Sequence, residues 1–262
     1  AEHITDSGIT EMSYMQEPSS ILWCVREDGQ VCGLTYQRNE QVVGWHRHIF
    51  GGVFGSGNAV VESVATIPGD LNEDVTYFIV KRTINGTTRR YVEYLQPFDY
   101  GSDLTDAFFV DSGLSYSGSA TSTITGLGHL EGQSVTILAD GSSHPNKTVS
   151  SGSITLDRSA TKVQVGLSYN STLQTMRLEA GSQDGTAQGK IKRIHNLVVR
   201  LFETVGLLVG KDTSNLDRVP FRSSAADMDT AVPLFTGDKE IEFNADYDND
   251  GFLSYNKINH YQ

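Results

Sequence analysis

Two similar strand-rich segments near the start of this 262-residue chain constrain its fold most. Residues 9–48 contain the apolar segments ITEMSYM, ILWCVR, VCGLTYQ and VVGWHRH, and residues 61–95 contain VESVATI, VTYFIVKR and TTRRYVEYL. The dipeptides Asp28-Gly29 and Asn85-Gly86 lie between such segments and tolerate the positive φ angles of tight hairpin turns. Each region therefore predicts a meander of short antiparallel strands.

The spacing of the two meanders indicates propeller-like blades. They recur after about fifty residues, which is the period of a propeller blade with several strands. A closed propeller needs about four to eight blades, so two of them cannot complete a ring. We therefore expect this chain to be part of something larger. Because it starts with Ala1, we also expect it to be trimmed from a longer product.

The remaining chain divides by composition, and it predicts a mainly β protein. Residues 1–95 hold the two meanders, and residues 96–117 form a turn-rich connector with a possible helical turn across 104–109. Residues 118–180 contain short polar and apolar segments that predict a small inserted β-barrel or sandwich module. Residues 181–262 predict a C-terminal β segment that returns to the first domain. Within it, 191–201 also fits a helical face, but β-branched residues favour a strand after Ile194.

The charge and the hydropathy pattern exclude two classes of function. A net charge of −12 argues against a nucleic-acid clamp, because binding phosphates requires a basic surface. An acidic wall around a channel would instead repel DNA and let it slide. The longest apolar run, LVVRLFETVGLLVG, is interrupted by charge and is shorter than the ~20 residues of a membrane span, so we expect no membrane span.

Two pairs of residues have the composition of a redox site and of a metal-binding site. Cys24 and Cys32 flank the Asp28-Gly29 turn, and a three-residue loop would place them opposite each other, whereas a two-residue loop would not. We favour reduced thiols, since nothing indicates an oxidising compartment. His46 and His48 would share a strand face as a metal pair, but no third ligand is evident, which favours a partly exposed strand face flanking Trp45.

An acidic turn near the C-terminus resembles the start of a calcium loop. Asp246, Asp248 and Asp250 match the spacing of the first ligands of an EF-hand, but Lys257 stands where a bidentate glutamate belongs. No helical pattern flanks the turn. The sequence favours an acidic hairpin tip, with calcium binding as the alternative.

No motif in the sequence predicts catalysis or a cofactor. There is no nucleophile elbow, dinucleotide fingerprint or phosphate-binding P-loop. A glycosidase pair would have to come from the acidic residues of the connector, where aromatic neighbours would suit a sugar, although such residues also anchor connectors between β-domains. These acidic residues are Asp99, Asp103, Asp106 and Asp111. We expect a protein that is not an enzyme and has no cofactor.

Five blocks of the sequence, in order, resemble one family of bacteriophage virion proteins. They are ILWCVREDGQVCGLTYQRNEQVVGWHRH, DAFFVDSGLSYSG, LEGQSVTILADG, AGSQDGTAQGKIKRI and VPLFTGDKEIEF. Together they are similar to the nozzle proteins, or tail tubular proteins B, of short-tailed phages and related prophages. The third block also resembles the small β-domain called FCCH, which would imply a shared fold element and no ubiquitin chemistry.

The resemblance implies a structural role in the virion. Nozzle proteins form a ring, typically of six copies, at the distal end of the tail below the adaptor. They extend the DNA exit channel and help to hold fibres. We therefore expect a homo-oligomer that is made in the host cytoplasm and resides in the phage tail, with DNA passing its lumen without specific binding. The large side chains of Trp23, Trp45, Phe108 and Phe109 are the candidate contacts between copies.

Two other functions stay open from the sequence. The first is a carbohydrate- or surface-binding module of a tail, formed by residues 118–180 with their short strands and polar loops. The second is a glycan-degrading enzyme that uses Asp103, Asp106 and Asp111.

Overall fold

The computed structural model describes residues 2–70, 73–97, 99–179, 186–187, 189–222, 232–243 and 247–257. The chain groups into two compact units, Ala1–Tyr169 and Asn170–Gln262. Among the described residues, all regular structure is strand apart from helix α1 (Glu2–Thr5) and the single 3-10 turns Leu104–Asp106 and Gly128–Leu130. The predicted mainly β fold is confirmed.

The first meander folds as the sequence predicts, into four antiparallel strands in the order of the chain. The loop at Asp28-Gly29 has three residues, because Arg26 N donates to Gln30 O at 2.8 Å, and Gly29 supplies the left-handed conformation with φ of 80°. The strands are β1 (Ile9–Met15), β2 (Ile21–Arg26), β3 (Val31–Gln37) and β4 (Val42–His48).

The second meander forms a three-stranded sheet whose last two strands meet at Asn85-Gly86. Both turn residues have positive φ angles, 47° and 71°, which suit a two-residue hairpin. Its strands are β7 (Val60–Pro68), β8 (Asp74–Ile84) and β9 (Thr87–Tyr94), preceded by the small hairpin of β5 (Val53–Phe54) and β6 (Gly57–Asn58).

A shared hydrophobic core joins the two meanders. It includes Trp23 and Val25 from the first sheet and Val61, Phe78 and Val80 from the second. These side chains are almost fully removed from water, which is the main favourable contribution to folding. The propeller-like succession of meander sheets is therefore confirmed for this part of the chain.

A third sheet has a core of its own within the first unit. Its strands are β10 (Asp111–Thr125), β11 (Ser134–Ala139), β12 (Ser142–Thr148) and β13 (Ser153–Leu167). They lie in the order β10-β13-β11-β12, and β12 lies beside the first half of β13, where Asp157 N donates to His144 Nε2 at 2.9 Å. The sheet thus starts inside the stretch 96–117 assigned above to a connector. That it is an independent inserted module stays a prediction.

The second unit contains two further sheets around a smaller core that includes Val209, Val219 and Leu253. One sheet has the order β14-β19-β16-β17, and β15 pairs with β18. Residues 196–204 form a strand, as their β-branched content predicted. The strands are β14 (Ser171–Gln174), β15 (Asn196–Thr204), β16 (Leu207–Asp212), β17 (Asn215–Val219), β18 (Phe235–Glu242) and β19 (Ser254–Lys257).

The structure also bears on the membrane. No helix within the described ranges has the length and apolar character that crossing a bilayer requires.

Arg82 connects three parts of the first unit from a fully buried position on β8. Its guanidinium forms a two-pronged ion pair with Glu93 of β9, with Nη2 to Oε2 at 3.0 Å, and its Nε donates to Gly51 O at 2.7 Å. Gly51 N in turn donates to Asp111 Oδ2 at 2.6 Å, at the start of β10. A Cβ on Gly51 would come within 2.6 Å of Ser168 O, so only glycine fits there.

Replacing Arg82 by methionine should lower the free energy of unfolding by about 3–5 kcal/mol, because Glu93 and the Gly51 carbonyl lose their partner in a buried place. Urea unfolding monitored by tryptophan fluorescence measures the change. Arg90→Met is the matched control, since it also removes an arginine–glutamate pair, with Glu62, but at an exposed position. Equal losses in both variants would contradict the role given to Arg82.

Candidate functional site

The outward face of the β7–β9 sheet carries an unusual set of exposed apolar side chains. Ile79 lies directly opposite Val92, and Tyr77 lies opposite Tyr94 with their ring centroids 5.9 Å apart. Val92 is 70% exposed and Tyr94 is 55% exposed. Monomeric proteins seldom leave such side chains contiguous on a flat sheet. We call these four residues the β8–β9 apolar face.

A charged group borders the β8–β9 apolar face. Glu62, on the bulge of β7, binds Lys81 Nζ at 2.8 Å and Arg90 Nε at 2.6 Å. The hydrogen bonds from Arg90 and then Lys81 lower the pKa of Glu62 to about 2, so its carboxylate stays ionised. Glu62 therefore holds both cations within the sheet and offsets one of their two positive charges.

The sheet formed by β15 and β18, in the unit Asn170–Gln262, also has exposed apolar side chains. Val198 and Phe202 project from one side of β15 and are 59% and 76% exposed. Within the described residues no third strand joins this sheet. A two-stranded sheet is marginally stable on its own in water, so this element gains most from additional contacts.

The candidate contacts chosen from the sequence differ from these faces. Trp23 is only 4% exposed, because it lies in the core beside Phe78, and it is wrong as a surface anchor. Trp45, Phe108 and Phe109 are partly buried. The sequence did not reveal the exposed residues Tyr77 and Ile79, because the run VTYFIVKR has apolar residues on both faces of the strand. Such a pattern predicts that both faces are buried. Only the position of the neighbouring sheets shows that one face is open.

The acidic residues of the connector have separate structural partners. Asp99 accepts from Gly101 N at 2.8 Å, and Asp103 accepts from Thr105 N at 2.9 Å to cap the turn that follows. Asp106 forms an ion pair with Lys162 on β13. Asp111 receives the Gly51 amide. Each carboxylate thus has a local role in the fold, and the glycosidase hypothesis gains no support from these contacts.

Asp111 is nevertheless electrostatically unusual. Removal from water raises its pKa to about 6, although the Gly51 hydrogen bond and the charge of Arg82 act in the opposite direction. Its neighbour Tyr169 has a pKa raised to about 12, first by burial and then by the Asp111 charge. Such a carboxyl can exchange a proton near neutral pH, but none of the described contacts adds a nucleophile or a second acid.

His46 and His48 are both partly exposed on one face of β4, as the sequence predicted, and they form a hydrogen-bonded pair. His46 Nδ1 lies 2.6 Å from His48 Nε2, and His46 Nε2 lies 3.0 Å from Thr35 Oγ1. Both rings pack edge-on against Trp23. Burial, and secondly His46, lowers the pKa of His48 to about 4, and burial also lowers the pKa of His46. The pair is neutral at pH 7 and belongs to the core side of the sheet.

Cys24 and Cys32 lie directly opposite each other, as the three-residue loop requires. Both are free thiols and have no exposed surface. Burial, and then the neighbouring Cys32, raises the pKa of Cys24 to about 11, so the reactive thiolate is scarce. The cysteines therefore act as small apolar side chains.

The acidic turn is described only in part, because Asp246 lies outside the described residues. Asp248 accepts from Asp250 N at 3.2 Å, and Asp250 Oδ1 lies 3.2 Å from Arg177 Nε. Across the parts of the chain that are described, no group of three His, Cys, Asp or Glu side chains could hold a metal ion. Calcium binding through Asp246, Asp248 and Asp250 stays a prediction.

In comparisons with known proteins, neither a family model nor a curated protein matches the sequence. The function is therefore argued from the residues and surfaces described above.

Replacing Asp111 by asparagine should be better tolerated at pH 7 than at pH 4. The folded-state pKa of about 6 exceeds the ordinary 3.8, so the stability associated with this carboxyl is greatest below pH 3.8 and falls as the pH rises to 6. Asparagine does not ionise, so the variant does not lose this stability as the pH rises. We compare the unfolding free energy of the variant with that of wild type at each pH. Relative to wild type, the variant should be roughly 1–3 kcal/mol more stable at pH 7 than it is at pH 4. A pH-independent difference would disprove the raised pKa.

His48 should produce the opposite pH dependence. Its folded-state pKa of about 4 lies below the ordinary 6.5, so its contribution is complete above pH 6.5 and is lost as the pH falls toward 4, because the unfolded state takes up the proton. His48→Phe keeps a ring against Trp23 but cannot titrate. Between pH 7 and pH 4.5, wild type should lose roughly 1–3 kcal/mol more stability than this variant in urea unfolding. Parallel pH profiles would contradict the assignment.

Proposed function

We propose that this chain is a non-catalytic structural protein of the tail of a short-tailed bacteriophage, of the nozzle-protein kind. In this proposal several copies, six by analogy with the family, associate side by side in a ring that extends the DNA exit channel. The protein is made in the host cytoplasm and resides in the virion. The five ordered sequence blocks and the mainly β, propeller-like fold support it.

The observation that carries the proposal is the β8–β9 apolar face. Val92 and Tyr94 are exposed, and covering them with another surface would be favourable by roughly 25 cal/mol for each Å² of apolar area removed from water. β-Sheets associate readily through such faces, because side chains from two sheets interdigitate. A second copy of this chain, or another tail protein such as the adaptor or a fibre, would provide the covering surface.

The charge distribution supports passage of DNA without specific binding. The chain carries a net charge of −12, and two cations beside the apolar face, Lys81 and Arg90, are already paired with Glu62. A chain with this excess of negative charge repels the phosphate backbone, so a ring of such copies would not hold DNA by counterion release.

Replacing Val92 by glutamate should abolish self-association, because a charge in the centre of a buried interface costs several kcal/mol of binding. Thr88→Glu is the matched control, since it adds the same charge on the same face of β9, away from the apolar side chains. Size-exclusion chromatography with light scattering and negative-stain electron microscopy of the full chain should show rings or oligomers for wild type and T88E, and monomers for V92E. A monomeric wild type at high concentration would argue against assembly through this face.

The virion location is tested separately. Immunogold electron microscopy with antibodies against this chain, on phage particles from the source strain, should place gold at the tip of a short tail. Particles without gold, while the protein accumulates free in the lysate, would overturn the proposal.

A further inference from the structure

A shallow cleft opens at one end of the first meander sheet, away from the core. It has a volume of about 340 Å³ and lies between the end of β1 and the tight turn that joins β3 to β4. Tyr14 and Tyr36 line it together with Arg38, Asn39 and Glu40 of the turn. None of these residues belongs to the β8–β9 apolar face, so the cleft is independent of the assembly proposed above.

The two tyrosines present open aromatic surfaces on the same side of the sheet. Tyr14 pairs with Leu22, which pairs with Leu34, and Tyr36 follows Leu34 by two residues, so all four project from one face. Tyr14 is 53% exposed and Tyr36 is 49% exposed. Because β2 separates their strands, the two backbones are roughly 10 Å apart, which leaves room for one six-membered ring between the side chains.

The polar residues of the cleft are available for a ligand. Within the described part of the chain, the side chains of Arg38, Asn39 and Glu40 form no hydrogen bond or ion pair with other residues. Their guanidinium, amide and carboxylate groups are planar and offer paired donors or acceptors. The short turn, with Gln41 at a φ of 55°, positions them beside the tyrosines.

We propose that this cleft binds a neutral sugar residue of a polysaccharide. The apolar C–H face of a pyranose packs on a tyrosine ring, while adjacent hydroxyls each donate and accept hydrogen bonds with planar side chains. Arg38 and Glu40 give the cleft no net charge, and the net charge of −12 on the chain disfavours acidic glycans.

Binding of the full-length chain to immobilised dextran, mannan, galactan and laminarin tests the proposal, with heparin and hyaluronan as acidic comparators. We expect wild type to bind at least one neutral polysaccharide and neither acidic one. Tyr36→Ala should weaken that binding by about tenfold or more, since the stacking surface is lost. Tyr36→Phe keeps the ring and should bind within a few-fold of wild type.

Tyr247→Ala is the matched control, because this tyrosine is also exposed but belongs neither to the cleft nor to the β8–β9 apolar face. It should leave polysaccharide binding unchanged. Thermal unfolding of each variant identifies any that fail to fold, and Arg38→Ala provides a second test of the cleft that leaves both tyrosines in place. Absence of binding to every neutral polysaccharide, equal binding by Y36A, or a change in oligomeric state without sugar binding would each overturn the proposal.

Discussion

The first unit depends most on the contacts that the buried Arg82 guanidinium makes with Glu93 and Gly51. A charged group removed from water is tolerated only with matched partners, and here the Glu93 carboxylate and the Gly51 carbonyl supply them. The loop at Gly51 is thereby held between the second meander and Asp111 at the start of the third sheet. Through Gly51, one side chain thus connects the core shared by the two meanders with the third sheet, which has a hydrophobic core of its own. The raised pKa of Asp111 has a related cause, because its carboxyl is removed from water where it accepts the Gly51 hydrogen bond.

The surfaces divide into those that the fold satisfies and those that it leaves open. The His46–His48 pair and the two cysteines could have been reactive, but burial keeps the imidazoles neutral and the thiols protonated. By contrast, the β8–β9 apolar face and the Tyr14–Tyr36 cleft leave aliphatic and aromatic side chains exposed to water. The first has the character of a contact between proteins and the second that of a site for a small polar ring. A structural virion protein that also touches a glycan would use both.

Local sequence was sufficient for the parts of the fold that depend on neighbours along the chain. The Asp28-Gly29 and Asn85-Gly86 turns, and the alternating segments beside them, predicted the two meanders because turn geometry and strand pairing are short-range properties. The same reasoning predicted a strand after Ile194. It could not place Asp111, whose partner Gly51 lies sixty residues earlier. It also misjudged Trp23, since a large aromatic residue has the same pattern in a core as on a surface.

The sequence by itself determined the mainly β class, the meander units, the hairpin turns and the acidic charge, because each follows from composition or from residues close together in the chain. The sequence left the length of the loop at Asp28-Gly29 open, and the structure shows three residues, which sets Cys24 opposite Cys32. Only the tertiary structure decided the burial of Arg82 and which face of β8 and β9 is open. Those properties depend on how sheets far apart in sequence cover one another, and the local pattern of VTYFIVKR is the same whether a neighbour covers one of its faces or both.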